Sequence, residues 1–391
     1  MIIDLPTTTT SQVNSKLVHL REQGGATAIG RVLTLVIVTD DNERTEEAID
    51  AANHASREHP CRVIVVARGA KKAAPRLDAQ IRVGGDAGAS EVVVLRLYGP
   101  LANEGASCVV PLLLPDAPVV AWWPFEAPPV PAKDPIGMLA TRRITDSAAA
   151  RNPTKALEAR AKSYVDGDTD LAWTRLTLWR AVLASALDLP PYERVTAAMV
   201  SGEGDSPSAD LLAAWLAARM RVPVQRLKAR YGEGIVNVEL DRRSGPIVLH
   251  RPDGTVGELT QPGQPTRRVA LQRRPVRDCL AEELRRLDAD EIYEEALKAL
   301  GKVERRARAT SATKSTTTKA AAASKSAASK SAASKPAASK SSKSSSKAAA
   351  NSSAPDSPSK SSSNSSSPNS SSKSSSPNSS AKSSAKAEAK S

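Results

Sequence analysis

The sequence is poor in aromatic residues and in cysteine. Phe, Trp and Tyr together make up 3% of the 391 residues, and only one of them is a phenylalanine. The three cysteines, Cys61, Cys108 and Cys279, stand far apart, and no two of them form a Cys-x-x-Cys pair. This spacing favours small buried thiols in a reducing compartment over a disulfide framework. We therefore expect a cytoplasmic protein.

Sequence patterns for metal, phosphate and nucleophile sites are also missing. The four histidines lack a His-Glu-x-x-His spacing, and there is neither a Gly-x-x-x-x-Gly-Lys-Ser/Thr loop nor a Gly-x-Ser-x-Gly turn. No apolar run approaches the ~20 residues of a membrane helix, and residues 1–6 do not begin a signal peptide. We expect no metal, no cofactor, no membrane contact and no catalytic residues, hence a protein that is not an enzyme.

The net charge of +13 belongs almost entirely to the C-terminal segment. From residue 310 onward there are thirteen lysines against Asp356 and Glu388, so residues 1–309 carry only +2. Residues 306–391 hold too few apolar side chains to offset chain entropy, which predicts a disordered Lys/Ser/Ala-rich tail. Two roles stay open for this tail: a solvated extension, or a weak nucleic-acid or polyanion contact through lysine–phosphate attraction.

Residues 1–160 predict an α/β domain with a mainly parallel sheet. Apolar runs rich in β-branched residues alternate with helical segments such as 43–58, and continuous apolar strands are typical of a sheet covered on both faces. The predicted strands are Arg31–Thr39, Cys61–Ala67, Gln80–Val83, Val92–Leu97 and Val119–Trp123.

Residues 163–305 predict a second domain of the α+β class. Asp168 and Ser206 are the predicted N-caps of its first two helices. From 224 to 274, short strands alternate with turns that contain Gly and Pro, which predicts an antiparallel meander. The predicted helices cover about 169–187, 207–221, 276–287 and 290–303.

The scarce aromatic side chains are concentrated in two segments. In the first, Trp122, Trp123, Pro124 and Phe125 place two of five tryptophans and the only phenylalanine at the end of a predicted strand. Large aromatic side chains remove much apolar area from water and often anchor interfaces. Two roles stay open for this aromatic cluster: a contact with a partner, or a filling between the two domains.

The second concentration lies on the predicted helix 169–187. At 3.6 residues per turn, Trp173 and Trp179 occupy opposite edges of one apolar stripe, with Arg180 beside the first and Arg175 beside the second. Trp and Arg are enriched among the residues that dominate protein interfaces. The alternative is that both tryptophans complete the core. The candidate partner-binding residues are Trp122, Trp123, Pro124, Trp173, Arg175, Trp179 and Arg180.

Three segments of the chain form a distinctive set. They are Ala121-Trp122-Trp123-Pro124, Arg142-Arg143-Ile144-Thr145-Asp146, and Asp168–Thr177 followed by Trp179-Arg180. In order and spacing this set resembles the glucose-6-phosphate dehydrogenase assembly protein family, OpcA, in its actinobacterial branch. The resemblance extends over residues 1 to about 305 and does not include the tail.

The resemblance implies a non-catalytic partner and allosteric activator of glucose-6-phosphate dehydrogenase, which supports assembly of the active oligomer. That enzyme oxidises glucose 6-phosphate with NADP in the oxidative pentose phosphate pathway. Thiol redox control, which is described for cyanobacterial relatives, is not expected because the three cysteines form no redox motif. A second hypothesis is a regulatory protein that binds a sugar phosphate or nucleotide through the first domain, with a polyanion-binding tail.

Overall fold

Two β-sheets, formed by successive parts of the chain, are the framework of the computed structural model. The structure describes residues 1–24, 30–84 and 91–306, which lie within one compact unit. The tail that is predicted to be disordered lies outside the described residues from 307 onward.

The first sheet contains eight strands: β1 (Ile2–Leu5), β2 (Leu33–Asp40), β3 (Cys61–Arg68), β4 (Arg76–Arg82), β5 (Glu91–Tyr98), β6 (Val119–Trp123), β7 (Arg142–Thr145) and β8 (Asp168–Asp170). Their spatial order is β1-β4-β5-β3-β2-β6-β7-β8. All pairs from β5 across to β8 are parallel, whereas β4 is antiparallel to both of its neighbours. The predicted mainly parallel sheet is therefore present.

Helices cover both faces of the first sheet. α2 (Arg44–Ala55) packs on one face, where it meets Leu35 of β2. α1 (Thr10–Gly24) and α3 (Gly105–Val109) pack on the other face, beside Val36. Because successive side chains of a strand point to opposite faces, each uninterrupted apolar strand contributes to two cores.

The second sheet contains seven strands: β9 (Ala197–Gly202), β10 (Val224–Lys228), β11 (Ile235–Asp241), β12 (Ile247–His250), β13 (Val256–Thr260), β14 (Arg267–Ala270) and β15 (Glu304–Arg306). Their order is β14-β13-β12-β11-β9-β10-β15. Antiparallel hairpins join β11 to β14 in sequence, as the predicted meander requires. β9, β10 and β15 pair in parallel.

Helices cover one face of this second sheet. In β12, Ile247 and Leu249 are buried in the core, whereas the alternate residues Val248 and His250 are partly exposed. This is the burial pattern of an antiparallel sheet with one solvated face. The covering helices are α4 (Pro153–Ser163), α5 (Leu171–Thr174), α6 (Thr177–Leu187), α7 (Pro207–Met220) and α9 (Glu291–Ala299).

The remaining helix, α8 (Val276–Arg285), returns to the first sheet. Although it follows the second sheet in sequence, it packs on α2, and its residues Cys279, Leu280 and Leu284 lie in the same core as Leu35. The two parts of the chain therefore share one core. The domain limits 1–160 and 163–305 stay predictions.

The prediction of one long helix from Thr169 to Leu187 is wrong at the beginning of the helix. Asp168–Asp170 is strand β8, which pairs parallel with β7, and α5 and α6 are separate helices. Asp170 rather than Asp168 caps α5, since its carboxylate accepts from the backbone N–H of Ala172 at 2.9 Å. Tertiary pairing with β7 overrides the local helical pattern here.

Candidate functional site

Six of the seven candidate partner-binding residues are buried in this chain. On β6, Trp122 lies in the core beneath α2, and Trp123 lies in the core on the opposite face. They expose 0% and 1% of their surface, and Pro124 is buried beside them. The aromatic cluster thus contributes to both faces of the first sheet. A direct contact with a partner through these residues stays a prediction.

Trp173 is the centre of a second group of contacts, beneath α9. Its indole N–H donates to the carboxylate of Asp290 at 2.7 Å, and its ring lies 5.7 Å from that of Tyr293. The guanidinium carbon of Arg180 lies 3.8 Å from the centre of the indole ring. The predicted neighbourhood of Arg180 and Trp173 is confirmed, as a cation–π contact.

Arg175 has a different partner from the one that the helical pattern indicates. Its two terminal nitrogens donate to both carboxylate oxygens of Asp146, at 2.8 and 2.7 Å. Both residues are buried, so this is a bidentate ion pair shielded from water. The guanidinium over the ring of Trp179 belongs to Arg251, at 5.3 Å.

Further buried ion pairs surround this one. Arg143 donates to Asp168 at 2.5 Å across β7 and β8. Arg142 donates at 2.5 Å to Glu283 of α8, a residue 141 positions away. We call this cluster the motif junction; its members are Arg142, Arg143, Asp146, Asp168, Asp170, Arg175 and Glu283.

Asp170 is the carboxylate of the motif junction without an arginine partner of its own among the described residues. It accepts hydrogen bonds from the hydroxyls of Thr145 (2.7 Å) and Ser147 (2.6 Å) and from backbone N–H groups. Burial raises the pKa of Asp170 to about 6, with the negative charge of Asp146 as a second cause. Part of the Asp170 population therefore gains a proton when the pH falls to mildly acidic values.

Sequence reasoning missed the carboxylates of the motif junction. Asp146 and Asp168 are visible in the Arg-Arg-Ile-Thr-Asp and Asp-Thr-Asp segments, but nothing in the sequence distinguishes Glu283 from the partly buried Asp278 and Glu282 of the same helix, α8. The strand that carries Arg142 and Arg143 gave no clear signal, because β7 has two charged residues among its four.

The position at which open α/β sheets bind ligands has no glycine-rich turn in this protein. The strand order reverses between β2 and β6, and ligands of such sheets lie outside the carboxyl ends of the strands at that point. Here Asp41, Asn42 and Glu43 follow β2 without a glycine. Arg44 lies 3.6 Å from the ring centre of Phe125 across the crevice. The turn after β2 therefore lacks the glycines of a dinucleotide-binding loop, and its Asp41 is paired with Arg96 at 3.4 Å.

Two cavities flank the motif junction instead. One, of about 260 Å³, lies between the end of β7 and one face of α4. The other, of about 160 Å³, lies between Arg175, Trp179 and the beginning of α7. Each cavity is lined by a buried arginine that has no carboxylate partner among the described residues, Arg160 in the first and Arg251 in the second.

Metal ligands and reactive thiols are the other side chains in the described residues that could carry chemistry. Over 1–24, 30–84 and 91–306, no three His, Cys, Asp or Glu side chains are grouped so that they could hold a metal ion. Cys279 is buried, and its burial raises the thiol pKa to about 11, which keeps the sulfur protonated at neutral pH. In the same part of the chain, no helix is both long and apolar enough to cross a membrane.

Two family models match the chain in succession. The model described as the glucose-6-phosphate dehydrogenase subunit N-terminal domain (OpcA_G6PD_assem) matches residues 52–162. The model described as the corresponding C-terminal domain (OpcA_G6PD_C) matches residues 166–297. Together they cover more than half of the sequence. The chain belongs to this family.

The motif junction contains residues from both of the regions that the family models match. Arg142, Arg143 and Asp146 lie within the match to the N-terminal model, whereas Arg175 and Glu283 lie within the match to the C-terminal model. The buried ion pairs therefore join the two regions that define the OpcA family.

Other comparisons add little. No curated protein sequence matches the chain. Among solved structures, glucose-6-phosphate 1-dehydrogenase from Mycobacterium avium is 11% identical with a TM-score of 0.37, over 71% of this chain and 94% of that one. Biliverdin reductase from Synechocystis, in complex with biliverdin and NADP+, is 10% identical with a TM-score of 0.34, over 68% and 96%. Such low scores carry no argument about fold or function.

Proposed function

We propose that this protein is a non-catalytic assembly factor and activator of glucose-6-phosphate dehydrogenase in the cytoplasm. The observation that carries the proposal is the ordered match of both family models, which are named for a subunit of that enzyme. The motif junction supports it, because all three of its arginines and three of its four carboxylates are engaged in ion pairs with one another.

Activation by a binding partner has a simple energetic requirement. The partner shifts an equilibrium between enzyme forms only by the difference in its affinity for them. A difference of about 1.4 kcal/mol gives a tenfold shift in favour of the active oligomer. The protein therefore needs a surface that binds the active oligomer more tightly than the other forms of the enzyme.

We place this surface on the exposed side of α6. Leu178 is 42% exposed there, and Arg180 is partly exposed while it stacks on Trp173. Arg180 has no carboxylate partner among the described residues, so its charge is available to an acidic group of the enzyme. In this proposal the buried residues Trp173 and Trp179 determine the position of the contact side chains.

Complex formation tests the proposal. The purified protein and its cognate dehydrogenase are mixed and passed over a size-exclusion column with light-scattering detection. We expect a species heavier than either component, with a larger share of the enzyme in its higher oligomer. An unchanged elution of both proteins at concentrations well above micromolar contradicts the proposal.

The lysine-rich tail has a separate proposed role. Its spaced lysines suit a weak, salt-sensitive contact with nucleic acid or another polyanion. Removal of residues 310–391 is expected to abolish retention on a DNA column while complex formation with the dehydrogenase remains. Equal retention of the shortened and full-length proteins contradicts this role.

A further inference from the structure

The second sheet has a solvated face opposite its helices. Successive side chains of a strand alternate between the two faces, so Val200 and Leu249 are buried beneath the helices while their strand neighbours point the other way. On this other side Met199, Glu239 and Val248 are direct neighbours across β9, β11 and β12. All three are partly exposed, and Met199 and Val248 belong to none of the three apolar cores of the described residues. We call the surface formed by Met199, Glu239 and Val248 the open face.

Glu239 is a carboxylate without a counter-charge at the centre of the open face. It lies on β11, the middle strand of the seven, between the apolar side chains of Met199 and Val248. Within residues 1–24, 30–84 and 91–306 its side chain has neither an ion pair nor a hydrogen bond. Burial raises the pKa of Glu239, and the negative charge of Asp241 is the second cause. A cation brought by a partner would therefore remove an unfavourable interaction that the free protein retains.

The charge of the open face selects the kind of partner that fits it. A second copy of this chain would bring the same patch of both copies together across a twofold axis. Two Glu239 carboxylates would then approach each other, and like charges across an interface oppose binding. A lysine or arginine that stands between apolar groups fits instead, because it compensates Glu239 while its apolar neighbours cover Met199 and Val248.

The open face and the exposed side of α6 point in opposite directions. α6 lies on the helix-covered side of the second sheet, where its Trp179 and Leu183 are buried in one core with Val200. Leu178 is exposed on the side of α6 that faces away from the sheet, whereas Glu239 lies on the far face of the sheet. Both the helix and the sheet separate the two surfaces. One convex subunit of a partner therefore cannot contact both, but two subunits can.

We propose that the open face binds a second subunit of the dehydrogenase, through a lysine or arginine that pairs with Glu239, while α6 binds the first subunit. This inference rests on the proposed function. Both contacts form together only where two enzyme subunits are held in one oligomer. The protein then binds the oligomer more tightly than a single subunit, because the second contact is made without a separate association step. This difference in affinity shifts the enzyme towards the oligomer.

Charge variants of the full-length protein test the open face in mixtures with the cognate dehydrogenase. Light scattering measures the concentration of each variant that half-saturates the shift of the enzyme to its higher oligomer. We expect Glu239→Lys to raise this concentration at least about tenfold, because a cation then meets the cation of the enzyme. Met199→Lys should have the same effect. It places a cation directly opposite Glu239 on the neighbouring strand, an arrangement that stabilises antiparallel pairs, so the fold is retained. Met138→Lys is the matched control at a residue that is 67% exposed outside the second sheet, and it should behave as the natural protein.

The outcomes separate this inference from the proposed function. If the natural protein forms no complex with the dehydrogenase, both are wrong. If the natural protein forms the complex and Met199→Lys, folded by circular dichroism, acts at the same concentration as Met138→Lys, the open face is not a contact and only this inference is overturned. A dimer of this protein alone that Met199→Lys dissociates would assign the open face to a second copy, which also overturns the inference.

Discussion

At the scale of single residues, Trp173 is the most informative position. It is 1% exposed and combines a hydrogen bond to Asp290 with ring contacts to Arg180 and Tyr293. We expect Trp173→Ala to lower the free energy of unfolding by about 3–5 kcal/mol, measured by urea denaturation. A Trp173→Ala variant that is as stable as the natural protein but no longer binds the dehydrogenase would contradict a role in the core. It would favour a direct contact of Trp173 with the enzyme.

Leu178 tests the proposed contact surface without disturbing the core. We expect Leu178→Glu to fold normally and to weaken the complex with the dehydrogenase, because a charge replaces an exposed apolar side chain at an interface. Met138→Glu is the matched control: Met138 is 67% exposed, on the segment between β6 and β7. The affinities are measured in a titration of labelled dehydrogenase. Equal affinities of the two variants would show that α6 is not part of the interface.

Asp170 gives a prediction for the dependence of stability on pH. Its pKa is raised from 3.8 to about 6 in the folded protein, so the folded state holds this proton more tightly than the unfolded state. The contribution of Asp170 to the free energy of unfolding therefore falls as the pH rises from about 4 to about 6 and is constant above.

The Asp170→Asn variant isolates this contribution. The stability of the natural protein minus that of Asp170→Asn should decrease between pH 4 and pH 6.5 in urea titrations. Asp166→Asn, which removes an exposed carboxylate nearby, should not reproduce the decrease. A difference that increases with pH would show that Asp170 is stabilised as a carboxylate.

Side-chain neighbours could be predicted from sequence only for residues that are close together along the chain. Trp173 and Arg180, seven residues apart, are in contact as predicted, although they lie on the separate helices α5 and α6. The partner of Arg175 is Asp146, which lies 29 residues earlier on another element. Helical periodicity contains no information on such a distant partner, and the same holds for Arg142 and Glu283.

At the scale of elements, α7 is the clearest test of local signals. The predicted cap is present, since the hydroxyl of Ser206 accepts from the backbone N–H of Ala209 at 3.3 Å and Pro207 occupies the first turn. Ser206→Ala is expected to lower the free energy of unfolding by about 0.5–2 kcal/mol. Ser11→Ala, an exposed position in α1, should change it little. Equal thermal midpoints of the two variants would mean that the cap does not stabilise α7.

Elements with strong local signals were predictable, and short polar strands were not. β2, β3 and β6 are uninterrupted apolar runs, and their positions match the prediction closely. β7 and β8 are Arg-Arg-Ile-Thr and Asp-Thr-Asp, whose charged side chains do not indicate a strand. One ion pair between them, Arg143 with Asp168, compensates part of this charge, and Arg142 pairs with Glu283 of α8.

At the scale of the whole molecule, α8 determines how independent the two parts are. It buries Cys279, Leu280 and Leu284 against α2 and the first sheet. We expect a fragment of residues 1–160, which lacks α8, to show no cooperative thermal unfolding by circular dichroism. A protein of residues 1–306 should unfold cooperatively. A cooperative transition in the shorter fragment would show that the first domain folds on its own.

The sharing of a core between distant segments was beyond sequence reasoning. The two fold classes followed from strand patterns, because parallel and antiparallel sheets differ in apolar periodicity. The sequence of the helix at 276–285 has an ordinary amphipathic pattern. Only the packing shows that this helix contributes to the core of the first sheet. The same limit applies to the cavity of Arg160, whose walls come from three separate segments.

The central claim is that this protein raises the activity of glucose-6-phosphate dehydrogenase without catalysing the reaction. The most direct measurement is the rate of NADPH formation by a fixed amount of the cognate dehydrogenase at increasing concentrations of this protein. We predict a saturable increase, with no NADPH formed when the dehydrogenase is omitted. A rate that stays constant over the whole concentration range, or NADPH formation by this protein alone, would contradict the claim.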